Sequence, residues 1–143
     1  MREQKIENFV NIYQQLSKDS LHLLDDIYHP SICFSDPLHT VNGLDDLHSY
    51  FADLYSNVTE CRFDISSFHS VDDDAFLYWT MYYRHPKLAS HKEIAVQGHS
   101  HLVFDGNKIK LHRDYFDVGE LLYQQIPLIG PVIKLINKRA TQS

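Results

Sequence analysis

Cysteine is scarce in this sequence: only Cys33 and Cys61 occur in 143 residues. Both fall in expected strands, without zinc-ligand spacing or a Cys-x-x-Cys pair. A disulfide framework and a thioredoxin-like redox motif are therefore excluded, and both are read as reduced core residues. No run of 18 apolar residues is present and the N-terminal MREQKIENF is polar, so neither a membrane-spanning helix nor a signal peptide is read and the cytoplasm is the expected location. Five glycines and five prolines form no linker. Without a compositional break or an internal repeat, residues 1–143 are expected to make one domain around one core. Positive charge is short as well. Thirteen Lys and Arg against nineteen Asp and Glu leave a net charge of −6, which repels a phosphate backbone and argues against a nucleic-acid partner.

What is present is periodicity, of two kinds. Ile6, Phe9, Val10, Tyr13 and Leu16 recur at helical spacing, which predicts an opening helix ending near Ser17. A second helix is expected over Leu21 to Tyr28 with Ser20 as N-cap, stopped by Pro30, which starts a short strand through Cys33 and Phe34. After Gly43 a third helix carries Leu44, Leu47, Tyr50, Phe51, Leu54 and Tyr55 on one side. From Cys61 the period becomes that of strands: Cys61 to Val71, Ala75 to Arg84, Lys92 to Phe104 and Lys108 to Phe116. Asp105-Gly106 is the strongest hairpin signal. Val118 to Arg139 reads as two short helices divided by Pro127 and Gly130-Pro131. Helices first and an antiparallel meander afterwards make the fold class α+β, with helices on one face of a curved sheet.

This order resembles the cone-like nuclear transport factor 2-like fold, in particular its ketosteroid isomerase and SnoaL-like polyketide cyclase branches. The resemblance covers nearly the whole chain. It rests on Phe34-Ser35-Asp36-Pro37, on Gly43 opening the third helix, on Gly106-Asn107-Lys108-Ile109 and on His112-Arg113-Asp114-Tyr115-Phe116-Asp117. In the isomerases an Asp before Pro at this place shuttles the proton, which implies that role for Asp36. Tyr13 matches their oxyanion-binding tyrosine. The stretch that would hold their second oxyanion donor reads Gly98-His99-Ser100-His101 here, a departure that argues against steroid isomerisation. His112-Arg113-Asp114 resembles the His-x-Asp of the cyclases. The resemblance implies cofactor-free proton transfer on side chains alone. The C-terminal helices, about 118–139, are an extension beyond the isomerase pattern.

Asp36, Tyr13, His112 and Asp114 are accordingly the candidate catalytic residues, expected to line one cavity. For Asp36 the plain alternative is a turn-forming carboxylate that accepts backbone N–H groups. His112 and Asp114 share a strand face because side chains two apart point the same way. A two-residue Asp105-Gly106 loop would set His99 opposite His112, and a three-residue turn would set Ser100 there. His39, Tyr50, Tyr78 and His99 are the expected ligand contacts. Ten histidines invite a metal reading, but His99-x-His101 supplies only one edge of a site, so no metal is expected, and the resemblance implies no cofactor. Both faces of the strand Ala75 to Arg84 are apolar. A homodimer that buries Trp79 and Met81 is the expected explanation, the alternative being cover by the C-terminal helices. For those helices, packing on their own domain is the expectation, with a lid or a membrane-surface role as the alternatives. The function expected is a pocket for a small, mostly apolar carbonyl compound, with isomerase, cyclase or dehydratase chemistry. A non-catalytic binding domain is the competing class.

Overall fold

The computed structural model describes residues 2–126 and 129–141. Six strands form one sheet in the order β2-β1-β6-β5-β4-β3. They are β1 (Tyr28–Ser35), β2 (Thr40–Asn42), β3 (Glu60–Val71), β4 (Asp74–Arg84), β5 (Ile94–Asp105) and β6 (Lys108–Phe116). β1 runs parallel to β6, and every other neighbouring pair is antiparallel. Two long helices, α1 (Arg2–Gln15) and α3 (Leu44–Asn57), lie against β3 and β1. The core between helices and sheet gathers Ile6, Phe9, Tyr13, Leu24, Ile32, Phe34, Leu47, Phe51, Leu77, Leu102 and Ile109.

The expected second helix is shorter than its pattern. Leu21–Leu23 is one 3-10 turn, α2 is only Leu24–Ile27, and Tyr28 already belongs to β1. Pro30 explains the shift, because the residue before a proline is pushed toward extended backbone. The β1–β6 register breaks between Tyr28 and Cys33, the stretch that contains Pro30 and so lacks one ladder donor. Ser20 is no side-chain N-cap. Its hydroxyl donates instead to Gln15 O at 2.9 Å, closing the end of α1. Gly130-Pro131 does not divide two helices but sits in the first turn of α5 (Ile129–Ala140), where proline removes no helical hydrogen bond. Pro127 lies outside the described residues. A short helix α4 (Val118–Leu121) is capped by Asp117, whose Oδ1 accepts from Gly119 N at 2.8 Å.

The sequence-based dimer surface is corrected by which way β4 faces. Ala75, Leu77, Trp79 and Tyr83 are buried inside a single chain, on the concave face. Met81 shares their parity and packs with Tyr83, Ile94, Val96 and Leu121, so the C-terminal segment covers that end of the sheet. Trp79 lies flat over its cross-strand partner Gly98, where a Cβ would fall 2.1 Å from the indole ring. Glycine is needed here for space. Gly98→Ala should therefore destabilise the fold by about 1–3 kcal/mol through overpacking. Urea denaturation followed by far-ultraviolet circular dichroism measures this, and an unchanged midpoint would show that Trp79 can tilt away at no cost.

Candidate functional site

Whether His112 and Asp114 face the interior is decided by one inserted residue. Asp105 pairs with Lys108 and Phe104 with Ile109, so the turn residues are Gly106 and Asn107, with Gly106 at φ 64°. Beyond them the register slips: Val103 pairs with Leu111, Leu102 with His112 and Ser100 with Asp114. Lys110 is the extra residue of a β-bulge. It reverses the alternation, so that Ile109 and His112 both point inward and Leu111 points out. Neither expected register occurs. His99 pairs with Tyr115, not His112.

A chain of hydrogen bonds runs through the buried centre. His112 is 1% exposed and enclosed by Phe9, Tyr13, Tyr28 and Phe34. Its Nε2 lies 2.6 Å from Asp114 Oδ1, and its Nδ1 lies 2.7 Å from the Tyr28 hydroxyl. Tyr28 in turn meets the Tyr13 hydroxyl at 2.5 Å. From the other side Trp79 Nε1 donates to Ser100 Oγ at 2.8 Å, and Ser100 Oγ donates to Asp114 Oδ1 at 2.5 Å. One proton assignment satisfies them all. Tyr13 donates to Tyr28, Tyr28 donates to Nδ1, and the imidazole proton sits on Nε2 and is given to Asp114. Burial pushes the Tyr13 and Tyr28 phenols well above their ordinary range, and the Asp114 charge adds to both shifts. The cavity left around Tyr13, His112 and Asp114 is only about 10 Å³, the size of one water.

Asp36 belongs to a separate cluster at the rim. It ends β1, and its Oδ1 accepts from Leu38 N and His39 N, each at 2.8 Å, while the His39 ring Nδ1 lies 3.2 Å away. Its Oδ2 accepts from the Tyr50 hydroxyl at 2.8 Å. The turn-forming role is thus realised, and Asp36 reaches the pocket wall through His39 and Tyr50. Burial, and then the Asp36 charge, push the Tyr50 phenol far up, so it stays a donor. Phe34 stands between the two clusters, its ring 5.4 Å from Tyr50 and 4.7 Å from His112. His39 and Tyr50 edge an open pocket of about 410 Å³ whose walls include Leu38, Leu54, Met81, Leu88, Leu121 and Leu122. Three successive residues after Leu88, namely Ala89, Ser90 and His91, hold left-handed backbone at φ 51°, 54° and 65°. A more polar groove of about 490 Å³ opens beyond Tyr55 and Cys61, but its Arg62 faces Glu93 at 3.8 Å and already has a partner.

The SnoaL-like domain family model matches residues 9–112, which is most of the chain and contains both clusters except Asp114. The chain belongs to the SnoaL-like domain family. Solved structures agree on the fold. A SnoaL-like protein of Jannaschia sp. CCS1 superposes with a TM-score of 0.75 at 9% identity, covering 90% of this chain and 93% of that one. A protein of ketosteroid isomerase-like fold from Catenulispora acidiphila DSM 44928, in complex with trimethylamine, gives 0.74 at 13% identity with 89% and 96% covered. An LEH-like epoxide hydrolase of M. tuberculosis gives 0.68 at 16% identity with 94% of each chain covered. A search of curated proteins returns no match.

Within this SnoaL-like fold the expected site residues divide three ways. Tyr13, His112 and Asp114 come together in the interior, and Asp36, His39 and Tyr50 come together at the rim. The expectation of a single cavity shared by Asp36 and His112 is corrected, because Phe34 fills the space between them. Tyr78 and His99 are the second correction: they stack at 4.8 Å on the convex face, with Tyr115 beside His99 at 5.8 Å, away from both clusters. Tyr28, Ser100 and Trp79 complete the interior network unforeseen by the sequence reading. Pro30 carried a signal for the stretch at Tyr28, since it pushes its neighbour His29 toward extended backbone. Among the described residues no group of three His, Cys, Asp or Glu converges as a metal site needs.

The buried phenols make stability fall in alkali. Tyr13, Tyr28, Tyr50 and Tyr55 are all raised by burial, Tyr83 is raised to about 12, and the Cys61 thiol is also pushed up to about 12. Above the ordinary values the unfolded chain releases protons that the folded chain keeps, so stability is complete below pH of about 8, where the Cys61 thiol of the unfolded chain begins to ionise, and declines as pH rises. Each fully buried phenol adds roughly 1.4 kcal/mol of loss per pH unit above about 10. Urea titrations across this range should show the decline, with a shallower slope in Tyr13→Phe. A flat profile would mean that the phenols ionise in place.

Proposed function

We propose that the chain binds a small, mostly apolar carbonyl compound in the pocket of about 410 Å³ and moves a proton on it from the rim. The observation that carries this reading is the Asp36–His39–Tyr50 cluster at the edge of an otherwise apolar pocket. Asp36 takes four donors, so it is an orienting group more than a free base. Its Oδ1 accepts the Nδ1 proton of His39, which leaves the His39 Nε2 lone pair as the open acceptor for a substrate proton. Tyr50, held neutral by burial, gives its one proton to Asp36 Oδ2 and so fixes the carboxylate that aims His39. The leucines and Met81 supply the apolar walls. Isomerisation, cyclisation and dehydration all begin with such a transfer, and none of these needs a cofactor in this scheme.

Proton abstraction leaves a direct trace, the exchange of α-hydrogens of an apolar ketone for deuterium in heavy water. Nuclear magnetic resonance should detect exchange with the wild type, lowered about 100-fold or more in His39→Gln, with ketone binding retained. Binding without exchange in the wild type would leave a ligand-binding protein and remove the catalytic reading. That second reading has one observation in its favour: every donor of the His112 network is satisfied internally, as in a structural core.

The homodimer expected from the sequence belongs to the same proposal, moved to the convex face. Tyr78 and Tyr115 are nearly half exposed there and flank His99. Sedimentation velocity should give a dimer that Tyr78→Arg dissociates. A monomeric wild type at micromolar concentration would end the idea.

A further inference from the structure

The expectation that the C-terminal helices pack on their own domain is only partly met. α5 is seated through Gly130, so tightly that a Cβ would fall 2.4 Å from Gln124 O. Its apolar side chains are left outside: Ile129 is 52% exposed, Val132 54%, Leu135 48% and Ile136 59%. At 3.6 residues per turn Ile129, Val132, Ile133 and Ile136 share one face. Lys134 and Lys138 lie opposite, and Arg139 flanks the apolar stripe. The twelve-residue helix carries three cations and no acid, in a chain whose net charge is −6. Its charge is therefore segregated from the rest of the molecule.

Two properties of this face identify what covers it. An apolar stripe on a helix whose only charges are cations needs a partner that offers both hydrocarbon and negative charge. A second copy that met α5 with its own α5 would cover the apolar stripes but leave all six cations without a partner, because the helix carries no acid. A bilayer with anionic headgroups offers both complements at once. Twelve helical residues are about 18 Å long, too short to cross a hydrocarbon core of about 30 Å, so the helix would lie in the headgroup plane.

We infer that α5 docks the protein on an anionic lipid surface, with Ile129, Val132 and Ile136 in the acyl boundary and Lys134, Lys138 and Arg139 on lipid phosphates. Leu121 and Leu122, in the segment leading to α5, form a wall of the apolar pocket. Docking therefore brings the pocket beside the bilayer and makes a membrane-dissolved carbonyl compound its substrate class. That last point rests on the pocket reading above, whereas the docking does not.

Flotation of the full chain with phosphatidylcholine vesicles, with and without phosphatidylglycerol and at low and high salt, tests the docking. Binding is expected only to the anionic vesicles and should weaken with salt. Lys134→Gln, Lys138→Gln and Arg139→Gln should each lower the partition coefficient about fivefold. Val132→Asp with Ile136→Asp should abolish binding while the thermal unfolding curve and the ketone exchange stay as in the wild type, since both side chains are exposed. Absence of vesicle binding, or binding that survives the double substitution, overturns the proposal. So does sedimentation showing that the double substitution dissociates a dimer while the wild type ignores vesicles. Because flotation does not involve the pocket, failure of docking and failure of the ketone reading are separate results.

Discussion

The buried hydrogen bond from His112 Nε2 to Asp114 Oδ1, 2.6 Å long, sets the terms for the rest of the interior. A carboxylate at this depth is tolerable only when donors meet it, and Asp114 receives two on one oxygen, from His112 and Ser100. A neutral imidazole that gives its proton to Asp114 accepts at Nδ1, which calls for Tyr28, and a Tyr28 oxygen that gives its own proton away then accepts from Tyr13. Each step follows from the donor inventory of the previous group. The result ties α1, β1, β4, β5 and β6 together through six side chains. Apolar packing alone would let α1 slide along the sheet, but this chain of donors permits one position. Removing any member would leave its neighbours unpaired in a dry site, at about 1–3 kcal/mol for each orphaned group.

The same completeness argues about where chemistry can occur. A network whose every proton already has an internal acceptor, beside a cavity of about 10 Å³, has no donor to spare and no room for a substrate. The rim differs on both counts. His39 is half exposed, its Nε2 has no protein partner among the described residues, and about 410 Å³ of largely apolar space lies against it. The interior holds the sheet and helices in register, and the rim is where that rigidity can be used.

Much of the fold was legible because it is local. The stripes of α1 and α3 and the alternation in β3, β4 and β5 are periodic patterns, and patterns survive without knowledge of partners. The facing of His112 was not legible in the same way. It depends on the bulge at Lys110 and the Gly106-Asn107 turn, and a bulge is settled by cross-strand pairing energy that no single strand records. A turn one residue further along moves the pairing by two and the bulge moves it by one more, which makes Leu102 and not His99 the partner of His112 and leaves the expected contact His99 on the convex face. Tyr28 continues a helical spacing in the sequence, whereas Pro30 turns the chain to strand from Tyr28 onward. The rim was read better, since Asp36, Pro37 and His39 are neighbours in sequence and their turn chemistry is local.

That locality gives Asp36 two tasks that cannot be separated by changing Asp36 itself. Its Oδ1 holds the Leu38 and His39 amides, which shapes the β1–β2 turn, and the same oxygen receives the His39 ring, which aims the imidazole. An amide in its place would keep an acceptor for the backbone and lose the charge that favours the Nδ1 proton, so turn and dyad would weaken together. His39 and Tyr50 are different, because neither holds the backbone of the turn through its side chain. A loss of proton transfer on changing His39 with the fold intact speaks for chemistry, whereas the same loss on changing Asp36 speaks for chemistry or for a loosened turn. The rim is thus built so that its most recognisable residue is the least informative one to remove, and its function is read through the residues that Asp36 holds in place.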